Sequence, residues 1–159
     1  MKKIITLSLL VIMAVSCKSK KAATVDGGEN FTILKESAYG GREIDSHEFI
    51  TNNKDYTALT TELGIKDAQK VDFDKNNVVA VFMGQKRSGG YSITIEKVVP
   101  VAGTGDTATI LVKTTKPKAG EVITMALTAP YCLAVIPKTE KIDVQYIKSS
   151  FTTSKLRRE

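Results

Sequence analysis

The stretch Val78–Val98 reads VVAVFMGQKRSGGYSITIEKV, and its two halves carry different patterns. Val78-Val79-Ala80-Val81-Phe82-Met83 is apolar at every position, as expected of a central strand. Gly84 to Gly90 is polar, basic and glycine-rich, which reads as a turn. Tyr91-Ser-Ile93-Thr-Ile95-Glu then alternates cleanly, so one of its faces belongs to a core and the other to solvent. Two strands of such different burial on either side of a short turn place this chain among sheet proteins.

The same signals continue outward from this stretch. Downstream, Thr107–Thr115, Val122–Leu127, Tyr131–Ile136 and Lys141–Ile147 are predicted strands. Upstream, Phe31–Glu36, Arg42–Thr51 and Lys70–Phe73 are predicted strands, alongside Asn77–Met83 and Tyr91–Val99 from the opening stretch. Turn residues separate them at intervals of roughly ten. A helix from Asp45 is the alternative for Arg42–Thr51, because Asp45-Ser-His-Glu48 has capping-box spacing. The poor helix formers Asn52-Asn53 favour the strand. The clear helix is Asn53–Leu63: Asn52 or Asn53 caps it, and Asp55 suits its positive end. Tyr56, Leu59 and Leu63 make one apolar stripe, and Gly64 supplies a left-handed close. With one helix available, parallel β-α-β crossovers are not expected. The predicted class is α+β: a mainly antiparallel β-sheet, with a sandwich as one arrangement, and one packed N-terminal helix.

The chain has 159 residues, with 23 Lys and Arg against 17 Asp and Glu, a formal charge of +6. Five cations and two anions lie in the first 31 residues, and Lys155, Arg157 and Arg158 face Glu159 in the last eight. The remaining stretch, Thr32–Phe151, carries 15 cations and 14 anions, so the excess sits mostly in the ends. An apolar content of 42% excludes disorder throughout, and the length allows one domain. One histidine and two cysteines exclude a Cys/His zinc cluster and a multi-disulfide scaffold.

Met1-Lys-Lys3 and the apolar run Ile4–Val15 read as a secretory signal, 1–16, too short to span a bilayer as a mature helix. Ala14-Val15-Ser16-Cys17 resembles a bacterial lipobox, with Cys17 as the lipidated first residue of the mature protein. Residues 17–30 then read as the lipidated cysteine and a flexible tether, whose thirteen residues after Cys17 would reach roughly 20 Å. Lys20 and Lys21 would add about 1 kcal/mol each toward anionic headgroups. The expected location is the bacterial cell envelope, lipid-anchored, at the periplasmic face of the outer membrane. Residues 31–151 form the single predicted domain, and 152–159 a basic tail.

Candidate chemistry is thin. Cys132 lies in Tyr131-Cys-Leu-Ala-Val-Ile136, apolar on both alternating faces, which suits a buried inert thiol better than a nucleophile. His47 has no Ser or Cys beside it to activate and reads as a solvent-facing strand residue. Asp72-Phe-Asp74-Lys-Asn76 begins like a calcium loop but has Asn77 where glycine is needed and Met83 where a bidentate Glu is needed, so it reads as a polar turn. Gly103-Thr-Gly105-Asp106 and Ser88-Gly89-Gly90 lack the strand–loop–helix context of phosphate loops. Lys86-Arg87 and Lys113, Lys116, Lys118 lack interleaved aromatics, so nucleic acid is not an expected partner. No catalytic set, metal or cofactor is predicted. Three tyrosines stand in turns beside small or rigid residues: Tyr39 with Gly40 and Gly41, Tyr91 after Gly89 and Gly90, and Tyr131 after Pro130. Such tyrosines either anchor loops or, gathered on one edge, form a protein-binding face, because each offers large area at low entropy cost.

Val78–Val98, with its apolar strand ending in Gly84 and Gly89-Gly90-Tyr91 opening an alternating strand, resembles the PrcB C-terminal domain family. Ala129-Pro130-Tyr131 through Pro137 resembles that family's Pro-aromatic element, and the resemblance extends loosely over about Phe31–Ile147. It implies a non-enzymatic role in a protease complex, since the namesake lipoprotein associates with a secreted protease and stabilises it. The partners expected are an envelope protein such as a protease, and the bilayer through Cys17. The expected contact residues are Tyr39, Gly40, Gly41, Gly89, Gly90, Tyr91, Pro130 and Tyr131. One alternative is inhibition of cysteine-type proteases, because the tyrosine-bearing loops are distantly similar to those of chagasin-type inhibitors. Another is a small-ligand or enzymatic domain with a pocket that sequence does not reveal.

Overall fold

The continuous apolar run at Val78–Met83 demands cover on both sides, and the fold supplies it in three layers. The computed structural model describes residues 31–101 and 107–148. The order is β1 (Thr32–Ser37), β2 (Asp45–Ile50), α1 (Asn53–Glu62), β3 (Asn76–Met83), β4 (Ser92–Pro100), β5 (Thr107–Thr115), β6 (Tyr131–Pro137) and β7 (Lys141–Lys148). One sheet has the order β1-β6-β3-β2 and the other β4-β5-β7. The predicted signal, Cys17, the tether, the Gly103–Asp106 turn and the basic tail lie outside the described residues.

Strands β3 and β6 are the centre of the larger sheet. They pair antiparallel from Asn76 opposite Pro137 to Phe82 opposite Tyr131, without a break in register. Alternate side chains go to opposite layers. Val79, Val81 and Met83 join Cys132, Ala134 and Ile136 against Ile93, Ile95, Val98, Ile110 and Val112 of the second sheet. Val78, Ala80 and Phe82 join Tyr131 and Leu133 on the other face, where Ile50 and the helix residues Tyr56 and Leu59 cover them. Both predictions that decided the class, a central β3 and a helix packed on a mainly antiparallel sheet, match this architecture.

The helix has the caps its sequence requires. Asn52 Oδ1 accepts from the Asp55 N–H at 3.0 Å. At the other end Ile65 N donates to Thr60 O at 2.9 Å and Gly64 N to Thr61 O at 3.1 Å, the paired bonds of a Schellman close. Gly64 has φ +64°, the left-handed conformation that this close requires.

Arg42, just before β2, clamps the helix to the sheet. Its Nε and Nη2 donate to both oxygens of Glu62 at 2.7 and 2.9 Å, and Nη2 also reaches Glu48 at 2.7 Å. The guanidinium lies 4.6 Å from the ring centroid of Phe82. These hydrogen bonds hold the Glu62 carboxyl below the usual carboxylate range.

Two expectations are corrected. Lys70–Phe73 is not a strand: Val71 and Phe73 pack half-buried beneath the helix-side core, and the segment ends in a turn. Val122–Leu127 is not a strand either. It has no neighbouring strand to complete a ladder, and its side chains stand mostly in solvent. A parallel pair is also present, β5 with β7 from Thr107–Lys141 to Thr114–Lys148. No helix makes this crossover. The chain passes through β6 in the other sheet, which supplies the length a parallel connection needs. On one flank the sheets are joined by a hydrogen bond from the Thr94 hydroxyl on β4 to the Glu36 carboxylate on β1.

Leu59 is 2% exposed in the helix-side core, so Leu59→Ala is expected to lower unfolding free energy by about 2–5 kcal/mol in urea titration. The Glu62–Arg42 contribution is full above the ordinary carboxylate range and fades as pH falls through the depressed value of Glu62. In thermal melts, the deficit of Glu62→Gln relative to wild type should therefore shrink between about pH 7 and about pH 3. Because Glu62 is half exposed, the deficit at neutral pH should be at most about 1 kcal/mol.

Candidate functional site

Strand directions gather the loops. β1, β3, β5 and β7 finish at the end of the sandwich where β2, β4 and β6 begin, as the registers Ser37–Tyr131, Phe82–Tyr131, Ser46–Phe82 and Ser92–Thr115 show. The segments 38–41, 84–91 and 116–130 therefore share one end. Segment 116–130 laces the other two together. Ala129 donates to Ala38 O and accepts from Gly41 N, both at 3.0 Å. Thr128 and Lys86 exchange a pair of backbone bonds at 2.7 and 2.9 Å, and Gly89 N donates to Thr124 O at 2.9 Å. The Thr128 hydroxyl adds a bond to Ser88 O at 2.9 Å.

This lacing accounts for two of the glycine positions. A Cβ on Gly41 would lie 2.6 Å from Ala129 O, a backbone atom that cannot yield. Gly90 has φ +83°, and a Cβ there would lie 2.9 Å from Pro117. Gly40 is exposed in the turn, and Gly89 is buried against Thr124.

The three tyrosines meet different fates at this shared end. Tyr39 is 56% exposed at the tip of its turn. Tyr91 is half-buried, packs on the inter-sheet core and lines a surface cleft. Tyr131 is 3% exposed, with its ring 6.2 Å from that of Phe82, and burial pushes its phenol pKa up. Pro130 is buried as well, and its carbonyl accepts from Met83 N at 2.9 Å. Tyr131 and Pro130 thus anchor the loop from within and present no ring to a partner.

The features that sequence reading missed lie in the failed strand. Among the described residues the exposed large hydrophobics are Tyr39, Ile44, Val122, Met125, Leu127 and Tyr146, with Val122 fully exposed. All six lie at this end: Tyr39 is in the turn after β1, Ile44 precedes β2, Tyr146 is near the end of β7, and Val122, Met125 and Leu127 project from segment 116–130. An apolar run such as Val122–Leu127 looks the same in sequence whether or not a strand is available to pair with it, so no local signal marks it as exposed.

Between the sheet ends is an open cleft of about 420 Å³. Phe82, Met83 and Ile93 give it an apolar lining, Tyr91 and Tyr146 add aromatic walls, and Asp45, Lys86 and Lys116 supply charge. A smaller hollow of about 240 Å³ lies at the other end, beside Thr32, Asp72 and Asn76.

The remaining candidates have structural surroundings. Cys132 is fully buried, and desolvation pushes its thiol up to about 12. His47 is exposed on β2. In the Asp72–Asn76 turn, Asp72 Oδ1 accepts from Asp74 N at 3.1 Å and its carboxylate pairs with Lys75 at 3.4 Å. Among the described residues no three His, Cys, Asp or Glu side chains are grouped to hold a metal, and no helix is long and apolar enough to cross a membrane.

Architecture and surface together define a small three-layer domain whose apolar display is confined to one end. Residues 77–137, running from β3 through β6, match the family described as PrcB C-terminal. The match bears out the resemblance of Val78–Val98 and of Pro130-Tyr131, which both fall inside it. It is a family of accessory domains and not a known enzyme family, and it points to a protease-associated accessory role. No curated protein and no solved structure matches the chain.

Two outcomes follow from the geometry. Gly41→Ala should destabilise the fold by about 1–3 kcal/mol in urea titration, because the added carbon strikes the Ala129 carbonyl. Cys132 should not react with a water-soluble disulfide reagent at about pH 8 in the native protein and should react fully once denatured.

Proposed function

We propose that this chain is a membrane-anchored envelope lipoprotein and a protein-binding accessory module that stabilises or modulates a protease, with the loop end as its contact face. The observation that carries the reading is the confinement of the exposed large hydrophobics to one end. Isolated exposed apolar residues are ordinary, but a cluster on loops held by a rigid scaffold marks an interaction site. The network through Ala129, Thr128 and Gly89 holds these loops in place before any partner arrives, which lowers the entropy cost of association.

Anchoring through Cys17 suits this arrangement. The tether enters the domain at Thr32, and β1 runs from there toward Ser37 at the loop end. The face therefore lies at the far end of the domain from its attachment, where an envelope protease can reach it. A second reading is inhibition of cysteine-type proteases. Tyr39 favours it: an exposed ring on a tight turn, whose flanks Ala38 and Gly41 are both bonded to Ala129.

The contact face is tested by co-purification from solubilised envelope. The double change Met125→Ser and Leu127→Ser should reduce recovery of the protease partner at least tenfold, and His47→Ala should not. Equal recovery from both variants would show that the face lies elsewhere. Cys17→Ser should move the protein from the membrane fraction to the soluble one. Titration against a cysteine-protease panel separates inhibition from stabilisation, because only the former lowers turnover of the partner.

A further inference from the structure

Charge at the loop end is uneven. The described residues hold 15 Lys and Arg against 13 Asp and Glu. Segments 84–91 and 116–128, joined through Thr128 and Thr124, hold four of those cations (Lys86, Arg87, Lys116, Lys118) and one anion, Glu121. The rest of the described domain is therefore slightly acidic, its positive excess comes from these two loop segments, and Lys86 and Lys116 of them line one cleft. Among the described residues Lys86, Arg87 and Lys116 form no ion pair. Lys86 is held at that rim by donation from Nζ to Met83 O at 2.6 Å, which leaves two of its three protons free to donate. Asp45 is the one carboxylate in the lining.

The interior of the cleft has the opposite character. Met83 and Ile93 form an apolar floor beneath Tyr91 and Tyr146, and about 420 Å³ is room for one large side chain together with backbone on either side of it. An open apolar hollow with a cationic rim is complementary to an apolar side chain flanked by carboxylates.

We propose that this cleft is a recognition socket for an acidic segment of the partner protein, which inserts one large apolar side chain between the sheets and places its carboxylates on Lys86 and Lys116. The socket rests on the loop end being the contact face, and it names the chemistry that face selects. Docking of this kind is partly electrostatic, so it weakens with salt, and truncating the inserted side chain removes the central anchor. A protein occupant is favoured over a lipid surface because the loop end is remote from Thr32, where the tether joins.

The test uses the full chain and three fluorescein-labelled nine-residue peptides, read by anisotropy. One carries a central phenylalanine flanked by glutamate and aspartate, the second has lysine for each acid, and the third has alanine for the phenylalanine. The first should bind at least tenfold more tightly than either other, and more weakly as salt rises. Lys86→Glu with Lys116→Glu should reverse the preference between the acidic and basic peptides. Thr114→Phe, which fills the cleft without changing charge, should weaken the acidic peptide at least fivefold. Equal affinity for all three peptides, or no effect of these variants, overturns the socket. Binding of phosphatidylglycerol vesicles that depends on the same lysines, without discrimination among peptides, overturns it in favour of a lipid surface. If the peptides fail but Met125→Ser with Leu127→Ser still loses the protease, the contact face stands and only the socket is wrong.

Discussion

Burial of β3 on both faces is the constraint from which the other layers follow. Six consecutive apolar side chains from Val78 to Met83 cannot be satisfied by a sheet with one wet side, since alternate residues would then face water. One set needs the β4-β5-β7 sheet and the other needs α1. The pairing of β3 with β6 doubles the demand, because Cys132, Ala134 and Ile136 point one way and Tyr131 and Leu133 the other. The fit also leaves little freedom of register: a slip of one residue on β3 would exchange Phe82 and Val81 between layers of different depth. Arg42 belongs to the same arrangement. It lies over the Phe82 ring while its hydrogen bonds reach the helix, so the cover on that face is held by charge as well as by apolar contact.

The crossing of the chain between sheets builds the functional end. After β5 the polypeptide must reach β6 in the opposite sheet, and then return to β7 alongside β5. The first of these passages is segment 116–130, which crosses the open end of the sandwich and bonds to both neighbouring turns. A long loop anchored at Ala129, Thr128 and Thr124 can carry exposed Val122, Met125 and Leu127 without collapsing onto the core, because backbone bonds to both neighbouring turns fix it at those points. The buried Tyr131 and Pro130 hold its downstream end. The rigid part and the displayed part are therefore separate residues in one continuous segment.

Much of the fold was legible from local patterns. The unbroken apolar run at β3, the alternation of Tyr91–Glu96, the Asn52 cap and the Gly64 close are short-range signals, and each sits where local chemistry places it. The Gly89-Gly90-Tyr91 and Pro130-Tyr131 motifs, together with the β3 run, also carried the family resemblance that the match over residues 77–137 bears out. Less of the candidate site could be read this way. Tyr39, Tyr91 and Tyr131 share similar turn contexts, yet one ring is exposed, one lines a cleft and one is buried. What separates them is the position of Phe82 and of the 116–130 segment, which are distant in sequence.

The sequence by itself determined the helix and the seven strands that do form, the need to cover β3 twice and the near-neutral charge of the domain between its basic ends, because these depend on residue type and on neighbours a few positions away. Only the tertiary structure decided that Val122–Leu127 is left without a strand to pair with. It likewise decided that β5 and β7 run parallel through a strand of the other sheet, and that Lys86, Lys116, Tyr91 and Tyr146 surround one cleft. The physical reason is that pairing, burial and local field depend on which remote segments come together, and an isolated run of apolar or basic residues looks the same before that choice is made.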